Sequence, residues 1–154
     1  MFVLLIAGLL ATVLDPTGLA RSGGTISLES LSSINIILLV VGLVMMIAGL
    51  IIRFIAMKAL RSNFSGLLRI REGHTLVTAG IYHWVRHPAY LGAILLFLGF
   101  PVTLSSVIGF LVMLLLVPYL LHRITLEEKM LVDHFGAEYQ EYMERSKKLI
   151  PFVY

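Results

Sequence analysis

Long runs of uncharged, mostly apolar residues limit what this chain can fold into. Four such runs cover residues 1–14, 35–52, 89–104 and 105–121. Only 14% of the 154 residues are charged and 58% are hydrophobic, whereas a soluble domain carries about 25% charged residues. We therefore predict an all-α integral membrane protein, a helical bundle with about four membrane segments.

The chain is short enough to form one compact domain. We predict a single domain over residues 1–154, with two membrane spans within residues 1–62. Residues 63–154 would then hold a polar loop, a helical hairpin with its turn near Pro101 and Ser105–Ser106, and a C-terminal helical tail. Any active site must be built from the bundle, its loops and this tail.

Positive charge is distributed unevenly among the polar segments. The loop at residues 15–33 has one cation, the hairpin turn has none, and the segment between the second and third runs has six. The tail from His122 onward has five. Because cytoplasmic loops carry an excess of Lys and Arg, we predict that both termini are cytoplasmic. The polar segment before residue 89 then lies on the same membrane face as the tail.

Composition argues against several classes of site. The net charge is +3, but no basic face with interleaved aromatic residues stands out, so we predict no nucleic-acid binding. The chain has no cysteine, which excludes thiolate metal sites and a thiol nucleophile. His83 and His87 are four residues apart, but Pro88 disfavours a regular helix through His87, so we predict no metal site.

The segment Arg86–Pro88 stands where the third apolar run begins. Proline is favoured at the first position of a helix, so we predict that a helix begins at Pro88. Its N-terminus, with Arg86 and His87 alongside, would form an anion site at the membrane edge. The alternative is an interfacial anchor, in which Arg86 extends to the lipid head groups and the neighbouring aromatic residues form a belt.

The start of the tail carries a second polar pattern. Arg123 and Glu127 are four residues apart and therefore share one face of a helix. Glu128 is rotated by about 100° and points elsewhere. Two adjacent acids just below a membrane span would suit a cationic ligand, or they would form the solvated start of a helix.

The stretch HTLVTAGIYHWVRHPAYLG, from His74 to Gly92, resembles the isoprenylcysteine carboxyl methyltransferase family. At family-like spacing it is followed by Arg123, Glu127–Glu128, Phe135–Tyr139, Tyr142 and Pro151. A wider superfamily shares RHPxY, including phospholipid N-methyltransferases and NADPH-dependent sterol reductases. The HTLV segment joined to GxYxWxRHPxY points to the carboxyl methyltransferase branch.

The resemblance implies an enzyme that uses S-adenosylmethionine to methylate a lipophilic or lipid-linked acceptor among the membrane lipids, such as the carboxylate of a prenylated cysteine. It implies a role for Arg123 on the acceptor side. The residues that it assigns to the cofactor site are His74, Thr75, Leu76, Val77, Tyr82, His87, Pro88, Ala89, Tyr90 and Glu127. We expect Glu127 to matter more than Glu128 for cofactor binding.

Two features depart from the family pattern. A Gln that contacts the cofactor in some members has no clear counterpart among residues 67–72, and only two apolar runs precede the motif, where eukaryotic members have more. The acceptor is therefore less constrained than the cofactor. A phospholipid N-methyltransferase is the main alternative, and a sterol-type reductase or a non-catalytic membrane protein are the others.

Overall fold

The computed structural model describes residues 1–15, 33–60 and 76–150. Regular elements in these residues are helical, and one isolated parallel bridge joins Val85 to Lys147. The helices are α1 (Phe2–Leu14), α2 (Ser33–Leu60), α3 (Pro88–Thr103), α4 (Val107–Leu114), α5 (Leu116–Phe135) and α6 (Ala137–Arg145), with a 3₁₀ turn at Gly80–His83. The predicted all-α fold is confirmed for this part of the chain.

Two helical stretches are long and apolar enough to cross a membrane. They are Asn35–Leu60 in α2 and Val107–Phe135, which combines α4 and α5. At about 1.5 Å per residue, the 26 residues of the first stretch extend roughly 39 Å, more than a hydrocarbon core of about 30 Å. Helices α1 and α3 are apolar but shorter. The count of four membrane segments and the cytoplasmic tail remain predictions.

Helix α2 exposes most of its large apolar side chains. Val44, Ile47, Ile51 and Phe54 are examples, each more than half exposed. Soluble proteins rarely present a contiguous apolar surface of this kind, whereas lipid tails cover it readily. The helix also continues beyond the uncharged run through Arg53 and Lys58.

The described residues fall into two compact units. One takes those within Met1–Leu50 and Ala93–Tyr119, and the other takes those within Ile51–Gly92 and Leu120–Tyr154. The prediction of a single domain stays a prediction. The chemistry-bearing residues named above that the structure describes all belong to the second unit.

In the first unit, a buried carboxylate joins the end of α1 to the start of α4. Asp15 is 2% exposed. Its Oδ2 accepts hydrogen bonds from Ser106 Oγ at 2.7 Å and from the Ile108 backbone at 3.0 Å. Ser106 also caps α4 by accepting from Gly109 N at 3.0 Å. The predicted hairpin turn falls at residues 104–106, between the end of α3 and the start of α4, whereas Pro101 lies inside α3.

The last apolar run ends at residue 121, but its helix does not. Helix α5 continues to Phe135 because no glycine or proline interrupts the sequence from His122 onward until Gly136. Gly136 has a φ of 56°, a conformation that ends helices and favours glycine. Arg123, Glu127 and Glu128 consequently lie on a regular helix, as their spacing predicts.

Asp15→Ala should lower the free energy of unfolding by about 1–3 kcal/mol, because it leaves the buried Ser106 hydroxyl and Ile108 N–H without their acceptor. Thermal unfolding of the detergent-solubilised protein would measure the loss. The matched control is Asp133→Ala, since Asp133 is exposed on α5. Equal stabilities for the two variants would contradict a structural role for Asp15.

Candidate functional site

Three side chains from two helices meet in a polar group, the Tyr90 cluster. Tyr90 lies in the first turn of α3, and Arg123 and Glu127 are one turn apart on α5. The Tyr90 hydroxyl donates to Glu127 Oε2 at 2.7 Å and accepts from Arg123 Nε at 3.1 Å. All three residues are half-buried. The cluster therefore offers a guanidinium for an anion and a carboxylate for a cation, joined by one phenol.

Helix α3 begins at Pro88, as the sequence predicts. The His87 carbonyl accepts backbone hydrogen bonds from Tyr90 at 3.1 Å and Leu91 at 3.2 Å, so His87 occupies the position before the first helical residue. The Pro88 side chain is fully buried, and its ring fixes φ near the helical value. Packing and ring geometry together set the place from which Tyr90 reaches α5.

The neighbouring Glu128 has a different environment. Arg86 Nε donates to its Oε1 at 2.8 Å, and Lys148 Nζ lies 3.0 Å from its Oε2. His87 Nε2 is 3.3 Å from Oε1, at ion-pair distance but without hydrogen-bond geometry. The side chains of Arg86 and Glu128 are each 7% exposed. Glu128 is thus the centre of a buried charge cluster.

The contacts of Arg86 contradict both interpretations made from the sequence, the anion site and the interfacial anchor. Its guanidinium is buried, so it does not extend to the lipid head groups as an interfacial anchor. Its charge is balanced by Glu128, and its Nη1 donates to the carbonyls of Met143 and Ser146. These protein partners remove Arg86 from the proposed anion site.

The chain after α6 is bonded to the turn before α3. Arg86 N donates to Lys147 O at 2.8 Å, His87 N to Lys148 O at 3.1 Å, and Lys147 N to Trp84 O at 3.0 Å. These bonds flank the isolated bridge between Val85 and Lys147. The residues after α6 thereby brace the backbone of the RHP segment.

Helix α6 adds a further contact through a tyrosine. The Tyr142 hydroxyl donates to the carbonyl of Tyr82. Burial raises the pKa of Tyr142 to about 12, so the hydroxyl keeps its proton at neutral pH and can donate. Helix α6 and the residues after it are therefore fixed to the segment that precedes α3 by side-chain as well as backbone bonds.

Two predicted cofactor residues face other partners. Tyr82 is buried, and its hydroxyl donates to Ala56 O on α2 at 3.4 Å. His87 is 4% exposed and packs edge-on against the Tyr90 ring, with centroids 5.8 Å apart. Neither side chain is hydrogen-bonded to the Tyr90 cluster among the described residues.

The other predicted residues lie along the approach to α3. Leu76 and Val77 are half-buried in irregular backbone. The Ala89 carbonyl accepts from Arg53 Nη1 at 3.2 Å. His74 and Thr75 lie outside the described residues. Assignment of all these residues to a cofactor remains a prediction.

Sequence reasoning missed the tail contacts and the partners of Glu128. Arg86 and Glu128 are 42 residues apart, and Arg86 and Ser146 are 60 apart. Local spacing carries no signal for such pairs. The adjacency of Glu127 and Glu128 was the one local signal. Because successive residues on a helix point in different directions, only one of the two could contact Tyr90 and the other needed cationic partners elsewhere.

The isoprenylcysteine carboxyl methyltransferase (ICMT) family model matches residues 40–133. The chain belongs to this family. The matched range covers most of α2, all of α3 and α4, and α5 through Asp133, including all three residues of the Tyr90 cluster. The resemblance predicted from the sequence is thus confirmed.

Named relatives agree with this family assignment. The human protein-S-isoprenylcysteine O-methyltransferase is 37% identical over 117 residues, which cover 74% of this chain and 41% of that protein. The Arabidopsis thaliana protein-S-isoprenylcysteine O-methyltransferase B is 37% identical over 115 residues, 73% of this chain and 58% of that one. The chain spans about half the length of the curated relatives that it matches.

A solved ICMT structure shares the fold. It is described as the eukaryotic intramembrane Ras methyltransferase ICMT, and it superposes with a TM-score of 0.76 at 26% identity. The match covers 99% of this chain and 52% of the other. The all-α architecture is thus that of an ICMT-family membrane protein.

In this ICMT-family protein, Glu128→Ala should lower the free energy of unfolding by about 3–5 kcal/mol, because removing one partner leaves buried cations uncompensated. The matched control is Glu127→Ala, which removes a half-buried carboxylate with a phenol partner and should cost about 1 kcal/mol. Thermal unfolding would measure both, and trypsin cleavage after Lys147 or Lys148 would report release of the tail. Similar losses for the two variants would contradict a buried charge cluster at Glu128.

Proposed function

We propose that this chain transfers a methyl group from S-adenosylmethionine to the carboxylate of a lipophilic acceptor that resembles a prenylated cysteine. Membership of the ICMT family supports this function, as do relatives named protein-S-isoprenylcysteine O-methyltransferases. The observation that carries it is the contact of Tyr90 with both Arg123 and Glu127. A carboxylate methyltransferase needs an anion site and a cation site side by side, and this cluster supplies both charges.

The residues of the cluster fit S-adenosylmethionine, which carries an ammonium, a sulfonium and a carboxylate. Glu127 is half-buried, and Tyr90 orients one of its oxygens, so its carboxylate can balance a cationic part of the cofactor. When bound, S-adenosylmethionine supplies a methyl group on a positively charged sulfur. Leu76, Val77 and Ala89 would form the less polar side of the same site.

Arg123 would hold the acceptor carboxylate. A guanidinium binds a carboxylate through two parallel hydrogen bonds, and the bond from Nε to Tyr90 restrains how this guanidinium can turn. An acceptor carboxylate is already ionised at pH 7, so the reaction needs no general base. The chain would contribute orientation and the exclusion of water around the nucleophile.

The decisive experiment uses purified full-length protein, methyl-labelled S-adenosylmethionine and an S-prenyl-cysteine acceptor or a lipid extract. The expected product is a methyl ester, which releases volatile labelled methanol in base. A labelled product that survives base would point to an N-methyl amine and to the phospholipid alternative. Tight calorimetric binding of NADPH without binding of S-adenosylmethionine would support a reductase instead.

Glu127→Gln should weaken binding of S-adenosylmethionine more than tenfold, because it removes the negative charge opposite a cationic part of the cofactor, and a charge-assisted hydrogen bond from the ammonium alone contributes about 1.5–3 kcal/mol. Calorimetry on the folded fraction would measure this. Glu128→Gln, the matched control, should weaken binding less. Repeating the titration with uncharged-sulfur S-adenosylhomocysteine identifies the partner: equal loss assigns Glu127 to the ammonium, and loss with S-adenosylmethionine alone assigns it to the sulfonium. Equal effects of the two Gln variants would contradict the role of Glu127.

Arg123→Ala should reduce turnover by at least about a hundredfold while leaving S-adenosylhomocysteine affinity nearly intact, since the guanidinium is assigned to the acceptor. Arg123→Lys should restore little, because an ammonium does not reproduce the planar two-point contact. Initial rates at saturating cofactor, beside calorimetry on the same samples, separate the two properties. Parallel loss of cofactor binding and turnover would argue against this assignment.

A further inference from the structure

Arg53 is the first charged residue after the uncharged run 35–52, yet it lies well inside a helix. Helix α2 continues beyond it to Leu60, within the candidate membrane span Asn35–Leu60. The uncharged run 35–52 alone extends about 27 Å, close to the thickness of a hydrocarbon core, so Arg53 stands near the membrane edge, where its long side chain can reach a lipid head group or an anionic ligand. The surroundings of Arg53 therefore bear on what the protein binds.

The described partner of Arg53 is a backbone carbonyl. Its side chain is half-buried, and Nη1 donates to Ala89 O at 3.2 Å. Within residues 1–15, 33–60 and 76–150, no carboxylate forms an ion pair with it. A guanidinium has five N–H donors, and a neutral carbonyl does not balance its charge. Lys58, by contrast, is exposed, so water can hydrate it.

The position of Ala89 connects Arg53 with the Tyr90 cluster. Ala89 directly precedes Tyr90, whose hydroxyl binds Arg123 and Glu127. Arg53 and Arg123 thus approach adjacent residues of α3 from two different helices. Within the cluster the charges of Arg123 and Glu127 are opposite, so Arg53 adds one positive charge that no described carboxylate pairs with, and an arriving oxyanion would offset it.

We propose that Arg53 is a second contact for the oxyanion of a membrane-borne ligand, and that this ligand is the acceptor carboxylate. The inference rests on the proposed function. Arg53 approaches Ala89 from α2, whose large side chains on neighbouring turns are apolar and exposed, so a lipophilic acceptor can lie along that helix. Arg53 binds the acceptor, whereas Arg123 orients it for transfer. A lipid phosphate has the same oxyanion chemistry and is the competing source.

The first test compares Arg53→Gln with the exposed-residue control Lys58→Gln in the full chain. N-acetyl-S-farnesyl-cysteine serves as the acceptor at saturating S-adenosylmethionine. Arg53→Gln should raise the KM for this acceptor at least about tenfold, and leave the Kd of S-adenosylhomocysteine within about twofold. Arg53→Lys should recover part of the KM because it keeps the charge. A fall in cofactor affinity equal to the rise in KM would overturn the proposal, since Arg53 would then only support the start of α3. An unchanged KM would overturn it as well.

The second test needs no turnover, so it stays informative if the proposed methyl transfer fails. Binding of N-acetyl-S-farnesyl-cysteine is compared with binding of its carboxamide, in vesicles of phosphatidylcholine with or without phosphatidylglycerol. The wild type should prefer the acid, and Arg53→Gln should lose most of that preference. If the preference is unchanged and the substitution alters only the response to phosphatidylglycerol, the oxyanion is a lipid phosphate and the assignment to the acceptor is overturned.

Discussion

A buried carboxylate organises the second compact unit of this protein. Glu128 on α5 pairs with Arg86 before α3 and with Lys148 after α6, all within a region that excludes most water. Removing one partner of a buried ion pair leaves an uncompensated charge, which costs more free energy than the pair itself contributes. The three segments therefore stabilise one another only when all of them are in place. The Tyr90 cluster depends on this, because Arg86 and Tyr90 are four residues apart on one short segment.

Two adjacent glutamates on α5 have different surroundings, and only one of them is buried among cations. Glu127 and Glu128 differ in direction by about 100°, and this turn takes one to a half-buried phenol and the other to buried cations. Together they fix both ends of the segment Arg86–Tyr90, one at its last residue and one at its first. The same pair therefore supports the site and leaves one carboxylate available to a ligand.

The sequence predicts the local parts of this arrangement well. Proline chemistry places the start of α3 at Pro88, and a four-residue spacing places Arg123 and Glu127 on one face. Tyr90 came from the family resemblance, because no local rule joins it to α5. The burial of Arg86, the hydrogen bonds to Asp15 and the contacts of the residues after α6 follow from tertiary packing across tens of residues. Hydropathy marks where apolar character ends at residue 121, whereas the helix ends only where Gly136 permits it.

The bracing of the RHP segment by residues after α6 also sets an order of events during synthesis. Ser146 is made 60 positions after Arg86, and at about 5–20 residues per second this takes roughly 3–12 s. Until then the RHP turn lacks its backbone acceptors at Lys147 and Lys148, and Arg86 has neither the Ser146 carbonyl nor the complete charge cluster. The contacts around Arg86 are thus completed only after α3, α4 and α5 have been made and can enter the bilayer.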